Sequence, residues 1–138
     1  MKSMLLAISV VTLSTVYLIG CSAKNPSGTN FKDISARDAS DLIQKNQGNS
    51  NFIILDVRTP AEFDTGHIKD ALNVDYESAD FSSQISKFDK DKTYLVYCRS
   101  GNRSRSASML LISLGFKNVY NMMDGILQWQ AAGFPVVQ

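Results

Sequence analysis

Short apolar runs and amphipathic stretches alternate along most of this chain. Asn51 to Val57 (NFIILDV) is an apolar run ending near a charge, as expected of a strand buried on both faces of a sheet. Thr93 to Cys98 (TYLVYC) repeats the pattern, Asn118 to Met122 (NVYNM) is a weaker version and Ala71 to Asp75 (ALNVD) a short one. Between these runs lie segments with helical spacing or helical start signals. Ser35 to Lys45 opens with Ser-x-x-Asp, a side-chain cap with an acidic first turn, and puts Ala39, Leu42 and Ile43 on one face. Thr59-Pro60-Ala61-Glu62-Phe63 reads as a helix start, with Thr59 as cap and Pro60 at the first helical position. Phe81 to Phe88, Ser104 to Leu114 and Ile126 to Ala132 complete the helices, and Gly115 suits the C-terminal cap of the second of these. Strands alternating with short helices predict an α/β domain. Its central sheet is mainly parallel, with about five strands and helices on both faces.

The N-terminus breaks this alternation. Lys2 is followed by an almost unbroken apolar or small hydroxylated stretch, Met4 to Ile19. At roughly 15 residues it matches the core of an export signal and falls short of the ~20 needed to span a bilayer. Leu18-Ile19-Gly20-Cys21 resembles a bacterial lipobox, in which the chain is cut before the cysteine and that cysteine is acylated. The resemblance implies a signal over residues 1–20, a lipidated Cys21, and anchorage on the extracytoplasmic side of a bacterial membrane, periplasmic or at the cell surface. Ser22 follows, so the acidic residue that retains some Gram-negative lipoproteins at the inner membrane is absent. The alternative is an ordinary cleaved signal or a short uncleaved anchor, with Cys21 incidental. Residues 21–30, containing Pro26, Ser27, Gly28 and Thr29, are expected to form a flexible tether, and 31–138 the folded domain.

Composition adds limits. A length of 138 residues suits one domain, and 44% hydrophobic with 20% charged residues argues against disorder. A formal charge of +1 lacks the cationic excess that nucleic-acid binding would call for. The cysteine count says more. Of 2 cysteines, lipidation of Cys21 would leave Cys98 as the sole thiol, so no intramolecular disulfide could form. A leftover cysteine in an exported protein indicates a reactive thiol or intermolecular pairing. An inert buried cysteine is the competing reading.

The surroundings of Cys98 favour reactivity. In Tyr97-Cys98-Arg99-Ser100-Gly101-Asn102-Arg103-Ser104 a strand ends at the cysteine, a tight loop follows, and a helix starts straight after. Ligands of parallel α/β folds bind in the crevice beyond the strand ends. Backbone N–H groups of a curled loop can form an anion-binding nest, and the helix beginning near Ser104 aims the positive end of its dipole at the same point. Arg99, Arg103 and Arg105 add positive charge, and Gly101 permits unusual backbone angles. Each effect favours thiolate over thiol and would hold an anionic substrate.

Longer motifs surround this loop. Asp56-Val57-Arg58-Thr59-Pro60-Ala61-Glu62-Phe63, Gly66-His67-Ile68 and Ala71-Leu72-Asn73-Val74 occur in order. Cys98 to Arg103 fits Cys-x-x-Gly-x-Arg with a serine after it, and Met123-Asp124-Gly125-Ile126-Leu127-Gln128-Trp129 precedes Gly133-Phe134-Pro135-Val136. Together these resemble the signatures of the rhodanese family over roughly Phe31 to Gln138. One departure is Asp124, where the family usually has the first of two glycines. The resemblance implies a rhodanese-like fold and sulfur transfer through a Cys98 persulfide, with no metal or organic cofactor. It implies a small anionic sulfur donor such as thiosulfate, and cyanide or a thiol as acceptor. The amides of Arg99, Ser100, Gly101, Asn102 and Arg103 would hold the persulfide, while Arg99 and Arg103 attract the donor. Ser104, Asp56 and Arg58 would support them.

Loop length bears on chemistry within the family. Sulfurtransferases carry a six-residue loop, and phosphatase or arsenate-reductase relatives have one residue more. The loop here, Cys98 to Arg103, is the shorter kind, which disfavours tetrahedral oxyanions. A sulfur carrier or docking module serving a protein acceptor is the second reading. Outside the loop, His67 and Trp129 are expected to be structural. Asp56, Arg58 and Glu62 are expected to form a polar network, with orientation of the loop as the alternative role.

Overall fold

The computed structural model describes residues 28–138. The expected signal and Cys21 lie outside the described residues. Elements run β1 (Asn30–Ile34), α1 (Ala36–Lys45), β2 (Phe52–Asp56), α2 (Pro60–Asp64), β3 (Leu72–Asn73), α3 (Phe81–Ile85), β4 (Thr93–Tyr97), α4 (Asn102–Ser113), β5 (Asn118–Met122) and α5 (Gly125–Ala131). They build a five-stranded sheet in the order β1-β5-β4-β2-β3, parallel at every pairing.

Several starts follow local chemistry. Ser35 accepts a hydrogen bond from the Asp38 amide and caps α1. Thr59 and Glu62 exchange hydrogen bonds in a capping box, with Pro60 at the first position of α2. The differences from expectation are equally local. Asn30, expected in the tether, is the first residue of β1, a strand whose NFKDI sequence lacks an apolar run because it lies at the sheet edge. β3 is only two residues long, α3 stops at Ile85, and α4 starts two residues before Ser104.

Alternation along the strands divides the core in two. Leu55 and Val57 from β2 and its end, with Tyr94, Val96 and Cys98 from β4 and its end, pack with Phe81, Ile85, Ala107 and Leu111 from α3 and α4. Ile54, Leu95, Tyr97 and Met122 point the other way, toward Ala39 of α1 and Ile126 and Trp129 of α5. Helices therefore cover both faces. Cys98 belongs to the face beneath α4, and Asp56 and Tyr97 to the opposite one by the same alternation. The buried positions of α4 nearest its start are Ser104, Ala107 and Ser108, small side chains that let the helix lie close to the sheet behind Cys98. Among the described residues no helix is long and apolar enough to cross a membrane.

Candidate active site

The loop from Cys98 to Gly101 joins β4 to α4 at the carboxyl end of the sheet. Gly101 is the residue before the first helical one, with φ of 99°, and donates its amide to Cys98 Sγ at 3.1 Å. The sulfur thus occupies the place that a capping oxygen would fill at a helix N-terminus. The thiol is buried, with 1% exposure. Burial pushes its pKa up. The Ser104 hydroxyl and the amides of Ser104, Gly101 and Ser100 outweigh burial and bring the thiol below its usual range. In the structure the Ser104 hydroxyl donates to the Gly101 carbonyl at 3.1 Å, so its single proton has two acceptors within reach.

The loop is held from outside by the corner between β5 and α5. The Ile126 amide donates to the Cys98 carbonyl at 2.9 Å and the Leu127 amide to the Arg99 carbonyl at 3.2 Å. The approach leaves no room for side chains. A Cβ on Gly101 would lie 1.7 Å from the Met123 carbonyl oxygen, and one on Gly125 (φ 62°) 2.3 Å from the Arg99 carbonyl oxygen. Both positions therefore require glycine. Asp124 has φ −97° and ψ −5°, angles open to any residue, which accounts physically for an acid at that position.

The arginines separate in role. Arg103 directs Nη1 and Nη2 to the two Glu62 carboxylate oxygens, each at 2.7 Å, and approaches Glu77 at 3.4 Å. Its hydrogen bond to Arg103 holds Glu62 at a pKa of about 2 against the opposing effect of burial. Glu62, hydrogen bonding to Thr59 as well, ties the start of α2 to the loop. Arg103 is therefore not the free cation expected for donor capture, although its charge also acts on Cys98. Arg105 pairs with Asp33, whose other carboxylate oxygen accepts from Asn121. Arg99 is exposed, with no hydrogen bond or ion pair from its guanidinium among the described residues. Ser100 and Asn102 are exposed as well.

Asp56 and Arg58 form a separate network. Arg58 Nε reaches both Asp56 oxygens at 3.0 Å, and Nη2 reaches Asp56 Oδ2 at 2.6 Å and the Gly66 carbonyl at 2.8 Å. The guanidinium lies 5.7 Å from the Tyr97 ring centre, and the Tyr97 hydroxyl accepts from the Ile68 amide. This network braces the turn between α2 and β3, on the sheet face away from Cys98. His67 stacks on Phe63 at 3.7 Å and its Nδ1 lies 3.2 Å from the Phe63 carbonyl, while Trp129 Nε1 donates to the Pro135 carbonyl. The sequence left unassigned the Gly125 corner and the Glu77 contact. The first could be inferred from a glycine in a recurring signature; the second has no sequence signal.

A short loop at a parallel strand end, aiming amides at one buried sulfur, suits a cysteine nucleophile that carries a small anionic adduct. Comparison with known proteins identifies the family. Residues 35–132 match the family model for the rhodanese-like domain. A sulfurtransferase of Allochromatium vinosum is 35% identical over 100 residues, covering 72% of this chain and 92% of the relative. The thiosulfate sulfurtransferase GlpE of Coxiella burnetii is 35% identical over 101 residues, covering 73% and 89%. Among solved structures, a rhodanese-related protein of Thermoplasma volcanium superposes with a TM-score of 0.62 at 31% identity, covering 77% of this chain and 97% of the other. The rhodanese-like domain of an Anabaena protein gives 0.65 at 28% identity, covering 76% and 77%. These relatives support a sulfurtransferase of the rhodanese type. By motif, fold and relatives, the chain belongs to the rhodanese-like domain family.

Proposed function

We propose that this protein transfers sulfane sulfur through a persulfide on Cys98. The Cys98 thiolate attacks the outer sulfur of a donor such as thiosulfate. A new sulfur–sulfur bond forms as the donor's own breaks, and sulfite leaves with the electron pair. The terminal sulfur of the persulfide is an anion, and the inward amides of the loop offset its charge. A thiolate or cyanide acceptor then attacks that terminal sulfur, taking it and returning Cys98 as thiolate. Arg99, exposed beside the loop, draws the anionic donor, while Arg103 positions the loop through Glu62.

The observation that carries this reading is the Gly101 amide 3.1 Å from the buried Cys98 Sγ at the start of α4. The reading extends to location: an exported chain anchored by lipid on Cys21 and facing an extracytoplasmic space. Intact mass of membrane-extracted protein, before and after thiosulfate, tests both parts. The expected result is an acylated N-terminus and one added sulfur, with the sulfur absent from Cys98→Ser. Sulfur uptake by that variant would sink the mechanism, and an unacylated chain would remove the anchor.

A further inference from the structure

The two sides of the catalytic loop are chemically unlike. On the α2 side, Glu62, Arg103 and Glu77 satisfy one another. On the α5 side, Met123 and Leu127 leave 48% and 46% of their surfaces exposed. Isolated exposed apolar residues are ordinary, and Leu72, Met109 and Val137 are of that kind here. Met123 and Leu127 differ because their backbones are built against the loop. The Met123 carbonyl is packed on Gly101, and the Leu127 amide donates to the Arg99 carbonyl. The Arg99 backbone that Leu127 holds carries an exposed guanidinium without an ion-pair partner among the described residues.

Small sulfur anions make no use of aliphatic surface. A macromolecular thiol does, and methionine adapts readily to different partners. We infer that Met123, Leu127 and Arg99 form the docking rim for the sulfur acceptor. That acceptor is a protein thiol whose cysteine lies beside an aliphatic side chain and a carboxylate. The aliphatic group covers Met123 and Leu127, the carboxylate pairs with Arg99, and the acceptor thiolate meets the terminal sulfur carried by Cys98. Attack then breaks the sulfur–sulfur bond, leaves the electron pair on Cys98 as thiolate and moves one sulfur to the partner. This inference rests on the sulfurtransferase reading and names its acceptor.

The test loads the full chain with thiosulfate, removes the excess, and follows sulfur loss by intact mass against two synthetic peptides. Each has one cysteine, flanked in one by leucine and aspartate and in the other by serine and lysine. The leucine–aspartate peptide should discharge the protein at least tenfold faster. Met123→Ser with Leu127→Ser should bring that ratio near one, and Leu127→Ser alone should lower it partway. Arg99→Gln should lower the ratio and remove its sensitivity to salt. Reading the ratio within each variant cancels any change in loop reactivity. Equal rates for the two peptides on the unaltered protein, or a preference that survives the double substitution, would overturn the docking rim and leave the sulfurtransferase reading standing. Failure to load any sulfur would overturn that reading, and the acceptor inference with it.

Discussion

Asp56 with Arg58 and Glu62 with Arg103 are both arginine–carboxylate pairs, and both carboxylates come from the one short stretch that leaves β2 and opens α2. Their settings differ. The first pair is buried, with side chains 0% and 5% exposed, and its partners are two residues apart. The second is partly open, at 30% and 22%, and joins residues 41 apart. The buried pair fixes a turn on the sheet face away from Cys98, and the open pair fixes the loop that carries it. Burial makes a pair costly to break, whereas position decides whether breaking it reaches the chemistry.

The largest effect is expected at the buried pair. Asp56→Ala leaves the Arg58 charge without its carboxylate and should lower stability by about 3–5 kcal/mol, read from the urea midpoint. A loss below about 1 kcal/mol would mean that solvent or another acceptor replaces Asp56. Next comes the corner that presses on the loop from the α5 side. Gly125→Ala should slow sulfur loading roughly a hundredfold, the scale expected for an ångström-sized displacement of reacting groups. Gly133→Ala also faces a positive φ, 80°, but meets nothing within 4 Å, so it should cost only about 1 kcal/mol and spare loading. Similar behaviour of the two variants would show that backbone strain, rather than contact with Arg99, governs position 125.

Glu62→Gln should do the reverse of Asp56→Ala, with no more than about 1 kcal/mol lost in urea titrations and loading slowed roughly tenfold as Arg103 loses its anchor. Wild-type loading in that variant would remove Arg103 from the positioning of the loop. The smallest effect is one of pH. The folded-state pKa of Glu62, about 2, lies below its usual value, so its contribution to stability is present above roughly pH 4.5 and lost as pH falls toward 2. Allowing for solvent screening, the change should be about 1 kcal/mol in urea titrations, and Glu62→Gln should abolish it.

What could be read in the sequence was what depends on near neighbours. The Ser35 cap, the Thr59-Pro60 start and the β4–loop–α4 succession are each set within a few residues, and they occur in the expected places, with α4 beginning two residues early. β1 escaped because an edge strand needs apolar residues on only part of its surface, and its partner strand begins 88 residues later, Asn30 pairing with Asn118. Arg103 escaped for a related reason. Its place in the loop is local, but the carboxylate that claims its charge arrives from α2, so the sequence showed a cation and could not show it occupied. Asp124 looked like a departure, and backbone angles open to any residue make it an ordinary one.

The two clamps on the catalytic loop also set terms for redesign. One end is fastened through the carbonyls of Cys98 and Arg99 to the amides of Ile126 and Leu127, and the other through Arg103 to Glu62. A residue inserted between them has no slack to take up. Selection for a bulkier ligand should therefore yield insertions only together with changes at Gly125 or Glu62, and libraries that vary the loop alone should return mostly inactive clones.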